Sequence, residues 1–128
     1  MFAEGLAVAG EVSAGRAAID EALTRSDRNG ERWFDPELLR IKGELVLLEN
    51  RVDAALAAED LFRQAIDLAH QQGALSWELR VAISLARMLH DRGQNNPARQ
   101  ALAPVYARFA EGSDTADLQI AKNLLKQS

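Results

Sequence analysis

Three nine-residue stretches of this chain align with one another: GRAAIDEAL at 15–23, AEDLFRQAI at 58–66 and ARQALAPVY at 98–106. Each reads small-x3-large-x2-small, carried by Gly15, Ile19 and Ala22, by Ala58, Phe62 and Ala65, and by Ala98, Leu102 and Val105. The steps between their first residues are 43 and 40. Spacings of four and three place these residues on one face of a helix. A second small residue stands upstream of each copy: Ala3, Gly43 and Ala86 precede it by 12, 15 and 12 residues. The turn ENRVDAA therefore carries three extra residues in the middle copy. Such a repeat narrows the choice of fold sharply. A single helical pair cannot bury its own apolar face, so successive pairs must stack. The small residues let helix A and helix B of a pair cross closely, and the large residue is expected to fill the gap to the next pair.

Composition agrees, with 23 Ala and 18 Leu, both strong helix formers. Most of the three prolines and eight glycines fall where a helix would start or stop. Gly10 reads as the turn glycine of the first pair. The stripe Val12, Ile19, Ala22, Leu23 then runs to a stop at Gly30. A second helix opens at Asp35-Pro36, with Asp35 as cap, and carries Leu38, Leu39, Ile41, Leu45 and Leu48 to about Asn50. A third covers about 53–72 with Leu56, Leu61, Phe62, Ala65, Ile66 and Ala69, and Gly73 stops it. Ser76 is expected to cap a fourth, which ends before Gly93. Asn96-Pro97 opens a fifth that Pro104 should bend, and Gly112 breaks it. Asp114 caps a sixth. Short connections make neighbours antiparallel.

The expected fold is therefore all-α: antiparallel helix-turn-helix repeats, about six helices, stacked as a short tetratricopeptide-like solenoid. Residues 1–30 form a truncated first repeat, 31–73 the second, 74–112 the third and 113–128 a capping helix. In this register Met1 falls about two turns inside a helix A. The opening MFAEGLAVAG thus reads as the stump of a repeat, and the chain as a piece of a longer array.

Several function classes are disfavoured. The net charge of −4 argues against a nucleic-acid footprint, which needs a basic stripe. Without cysteine there is no disulfide framework, thiolate zinc site or cysteine nucleophile. That fits a reducing, cytoplasmic setting. No apolar run reaches the roughly 18 residues of a membrane span.

The stretches GERW at 30–33, ELLRIKGEL at 37–45, LFRQAI at 61–66, SWELRVAISLAR at 76–87 and PVYARFAEGSDTADLQIAK at 104–122 resemble the C-terminal tetratricopeptide region of large bacterial signalling regulators. In those proteins a nucleotide-cyclase or DNA-binding domain and a predicted NTPase module precede the repeats. The resemblance covers nearly the whole chain. It implies a protein-contact module closed by its last helix. This chain has no G-x4-G-K-[ST] motif and no cyclase domain, so neither activity is carried over.

No residue set points to chemistry, a metal or a cofactor. His70 and His90, the only histidines, lack partners at ligand spacing, and neither stands beside a nucleophile. Asp117 reads as favourable first-turn charge on the last helix. Trp33 and Trp77 lie in matching inter-repeat turns, where they either plug gaps between pairs or offer a peptide-binding surface. The first helices of each pair would line a concave face bearing Glu4, Glu37, Arg40, Glu44, Arg80, Arg87 and His90. That face is either a solvated charged surface or a groove for a peptide or neighbouring domain. Family members that grip a C-terminal carboxylate use Lys and Asn at positions held here by Arg40, Glu44, Ile83 and Arg87, so the resemblance does not extend to such a clamp. The expected function is a non-enzymatic protein-interaction module. The alternative is a self-associating or autoinhibitory arm, with Phe2, Leu6, Ile19 and Leu23 meeting a second copy.

Overall fold

The computed structural model describes the backbone of residues 2–30, 32–49, 53–108 and 116–127, and the side chains of 11–30, 33–49, 53–108 and 116–126. The chain is all-helical. Six α-helices and one 3₁₀ turn make up its described residues, with no strand among them: α1 Phe2–Asn29, the turn Arg32–Phe34, α2 Asp35–Leu48, α3 Ala54–Gln72, α4 Leu75–Asp91, α5 Asn95–Arg108 and α6 Ala116–Gln127.

Each helix packs on its chain neighbours, and the even-numbered helices also touch one another, α2 on α4 and α4 on α6. This is the contact pattern expected of stacked helical pairs. The α1–α2 crossing is antiparallel, as its side chains show. Arg16 meets Glu49 at 2.6 Å, Asp20 meets Lys42 at 2.7 Å, and the Ser26 hydroxyl donates to Asp35 Oδ1 at 2.6 Å. The hydrogen bond to Glu49 and the charges of Glu49 and Asp20 push the Arg16 pKa up against a smaller cost of burial, so the guanidinium stays charged. In the same crossing, a β-carbon at Gly15 would touch Leu45 at 3.4 Å.

The buried core runs along α3 and α4. On α3 the stripe Ala54, Ala58, Phe62, Ala65 and Ala69 is buried, with the i, i+4 and i+3 spacing of one helix face. Helix α4 is buried almost all round, from Glu78 to Leu89, because α2, α3, α5 and α6 all pack on it. Within the second pair, Phe62 of α3 sits against Gly43 of α2. The large residue of that repeat thus fills the crossing of its own pair.

Helices α3 and α4 end as expected. Gly73 and Gly93 adopt left-handed conformations, φ +69° and +75°, that cost other residues steric strain. After α3, the Gly73 and Ala74 N–H groups donate to the carbonyls of His70 and Ala69; after α4, Gly93 and Gln94 donate to those of His90 and Leu89. Several expectations need correction. Helix α1 continues through Gly10 with no turn there. A glycine inside a helix costs about 1 kcal/mol relative to alanine, which the surrounding good helix formers absorb when no proline or cap residue offers the chain an exit. Ser76 does not cap α4: the cap position is Ala74, which makes no side-chain bond. Asp35 is already helical, with Phe34 at the cap position. Leu48 and Leu56, expected on apolar faces, are 62% and 68% exposed, beside the turn that joins α2 to α3. As expected, helix α5 continues beyond Pro104; it runs to Arg108. Gly112 and Asp114 lie outside the described residues. No helix among the described residues is long and apolar enough to cross a membrane.

Candidate functional site

Helices α2, α4 and α6 lie side by side, and their polar residues meet on one face. Glu37, in the first turn of α2, is only 7% exposed. Its Oε1 accepts two bonds from Arg40, three residues on, one of them from Nε at 3.0 Å. Its Oε2 is buried without a hydrogen bond, with Arg80 Nη1 of α4 standing 3.6 Å away. Arg80 reaches in the other direction to Asp117 of α6, Nε to Oδ2 at 3.5 Å. The chain Arg40–Glu37–Arg80–Asp117 ties three helices together. Burying Glu37 would be costly without such cations.

Three of the residues expected in a groove, Glu37, Arg40 and Arg80, are thus joined in one network. Arg87 lies two turns along α4 from Arg80; it is exposed and has no ion-pair partner among the described residues. Glu44 lies on the matching turn of α2 and is half-buried. Glu4 lies outside the described side chains. His90 is a correction: it does not belong to this face. Its Nε2 is buried without a hydrogen bond, in a small void bounded by Ala98 and Leu102 of α5 and by Leu124 and Leu125 of α6. Helices α5 and α6 close over the C-terminal end of α4, and that closure takes His90 with it.

Of the residues expected to meet a second copy, Phe2 and Leu6 fall outside the described side chains. Ile19 and Leu23 are half-buried. They lie on the stripe of α1 that carries Gly15, Arg16 and Ser26, the stripe packed on α2, so α2 already covers part of that face.

A second cluster joins the turn side of the stack. Glu78, 5% exposed in the first turn of α4, pairs with Arg108 at the end of α5. His70 Nδ1 stands 3.4 Å from Glu78 Oε1 and 3.3 Å from Arg108 Nη1. The two contacts compete for one nitrogen: Nδ1 must accept to bond Arg108 and must carry the proton to bond Glu78, so a neutral ring makes only one of them.

The aromatic residues form a third feature, of which the sequence foretold only the positions. The rings of Trp33 and Trp77 stack at 5.8 Å with 20° between their planes, and Phe34 meets both edge-on at 5.3 and 5.1 Å. Trp33 is 65% exposed. Trp33 and Trp77 line an open cleft of ≈ 860 Å³ with Gly30 and the Gln72–Ser76 segment among the described residues. Their meeting follows from the parallel lie of α2 and α4. Trp33 precedes Trp77 by 44 residues and Glu37 precedes Arg80 by 43, the same repeat step that separates Gly43 from Ala86.

Among the described residues, no group of three His, Asp or Glu side chains is placed to hold a metal ion. No protein-family model matches the sequence, and no curated protein or solved structure does either.

Proposed function

We propose that the chain is a non-catalytic helical-repeat module, tetratricopeptide-like and cytoplasmic, that holds a partner protein segment against the α2–α4–α6 face. The reading joins the resemblance of its repeats to regulator C-terminal regions with one observation. Arg80 is held from both sides, by Glu37 of α2 and Asp117 of α6, while Arg87, two turns along α4, is exposed and has no ion-pair partner among the described residues. A cation fixed before binding loses little conformational entropy when a carboxylate-bearing segment arrives. Arg87 supplies the uncompensated charge that steers such a segment in. The test uses the chain as bait, alongside a variant with Arg40, Arg80 and Arg87 all changed to alanine. Proteins retained by the native chain should be lost by the variant while both melt as folded proteins. Unchanged capture sinks the reading.

A second reading, self-association, draws on a different place. Leu48 is largely exposed and lines an open cleft of ≈ 520 Å³ with Val12 and Ala17 of α1, whose rim also carries Arg16, Asp20 and Glu49. Apolar surface of this kind is commonly covered by another chain. Sedimentation velocity at high micromolar concentration separates the two readings, since a strict monomer removes the second.

A further inference from the structure

The cluster of His70, Glu78 and Arg108 lies on the turn side of the stack, and its contacts depend on one proton. Each side chain comes from a different helix: His70 from the last turn of α3, Glu78 from the first turn of α4 and Arg108 from the last turn of α5. Glu78 is the buried member. Its side chain is 7% exposed, against 65% for His70 and 40% for Arg108. Both partners reach the same atom, Glu78 Oε1. They also stand 3.3 Å from each other, Arg108 Nη1 to His70 Nδ1. None of the three makes another hydrogen bond or ion pair among the described residues. Asp67, one turn back on α3, forms no ion pair with the ring, and α2, the other helix packed on α3, brings no described charge within ion-pair range of it. Arg80, two residues on along α4, is engaged with Glu37 and Asp117 instead.

The charge of the ring decides which contacts can exist together. A neutral ring with its proton on Nε2 accepts from Arg108 at Nδ1, and Arg108 serves Glu78 as its cation. A second proton, taken from solvent at Nδ1, turns that nitrogen into a donor. It can then make a charge-assisted bond to Glu78 Oε1 and can no longer accept from Arg108. The same proton sets an imidazolium 3.3 Å from a guanidinium, with one carboxylate to compensate both. Like charges that close repel, so one cation withdraws. Rotamer entropy selects Arg108. Holding an arginine in one geometry costs more conformational freedom than holding a histidine, and the Arg108 side chain is already partly in water. The buried carboxylate still needs a cation, and His70 supplies it from α3.

We propose that His70, Glu78 and Arg108 form a pH-sensitive latch. Near neutral pH, Arg108 ties the end of α5 to the start of α4. In mild acid, a protonated His70 takes over Glu78 and releases Arg108, so the start of α4 is tied to α3 instead. Histidine is the side chain whose charge ordinarily changes between about pH 5 and 8, which sets the range in which the exchange operates. The latch lies apart from the Arg40–Glu37–Arg80–Asp117 network, so its failure would leave the reading of the charged face untouched.

The test is amide hydrogen exchange on the intact chain, with each rate divided by that of an unstructured peptide at the same pH. Between about pH 7.5 and pH 5.5, protection in the last turn of α5 should fall by about threefold or more, while the middle of α3 and of α4 keeps its protection. His70→Gln, at a largely exposed position, should fold as the native chain does and show equal protection at both pH values. Arg108→Gln should show the lower protection in α5 at both pH values, because the tie that acid releases is already absent. The proposal is overturned if protection in α5 does not change with pH in the native chain, or if α3 and α4 lose protection together with it. It is equally overturned if His70→Gln shows the native fall, which would assign the effect to a carboxylate, or if Arg108→Gln keeps the native pH response.

Discussion

A β-carbon built on Gly43 would stand 2.6 Å from Cε1 of Phe62, inside any real contact distance, and the Phe62 ring is fully buried. The pair defines how closely α2 and α3 approach. Gly43→Ala sets two effects against each other. Alanine favours the helix by about 1 kcal/mol, and overpacking a core costs about 1–3 kcal/mol. The clash is with a packed ring and not with the end of a flexible chain, so strain should win. The variant should lose about 1–2 kcal/mol in urea unfolding, and Phe62→Leu in the same background should return part of the loss. A Gly43→Ala protein more stable than native would contradict the observed packing.

Gly10 and Gly73 make a matched pair of opposite sign. Gly10 lies in the continuous helix α1, whereas Gly73 holds φ at +69° to end α3. Gly10→Ala should leave stability unchanged or raise it by up to about 1 kcal/mol, and Gly73→Ala should lower it by about 1 kcal/mol. Thermal melts with helix content followed by circular dichroism distinguish them. A loss of stability in Gly10→Ala would point to a turn at that position.

Ion pairs here should differ in worth according to burial. The Glu78 side chain is 7% exposed and its carboxylate depends on Arg108, whose side chain is 40% exposed. Arg108→Ala should cost about 1–2 kcal/mol, below the full figure for a buried pair because solvent screens the outer partner. Arg25 and Glu21 are each 69% exposed, and Arg25→Ala should stay within about 0.5 kcal/mol of native. Equal effects in chemical denaturation would show that burial does not govern these pairs.

His90 buries a ring nitrogen with no hydrogen-bond partner in a void too small to admit water. An unsatisfied buried polar atom costs about 1–3 kcal/mol. His90→Leu should therefore move the urea midpoint upward, by up to about 1 kcal/mol in stability given that the ring is only partly buried, with an unchanged m-value. A downward shift would reveal a stabilising contact of the imidazole.

Much of the fold could be read from local pattern. Gly73 and Gly93 end α3 and α4 where a left-handed residue was expected, and the small–large–small spacing put Ala58, Phe62 and Ala65 on the buried face of α3. Gly10 carries no such local signal: a glycine fits a turn or a helix interior, and only the packing of a whole helix decides between those uses. Leu48 and Leu56 continue the apolar period of their helices, yet both stay exposed.

By itself the sequence determined the helical class, the stops of α3 and α4 and the repeat step of 43 residues, because propensity, periodicity and left-handed glycines act over a few neighbouring residues. Only the tertiary structure decided which residues from different turns come together: Trp33 on Trp77, Arg80 between Glu37 and Asp117, and His90 under α6. Those partnerships depend on how far one helix slides and rotates against the next. That is settled by the packing of whole faces, and local pattern carries no record of it.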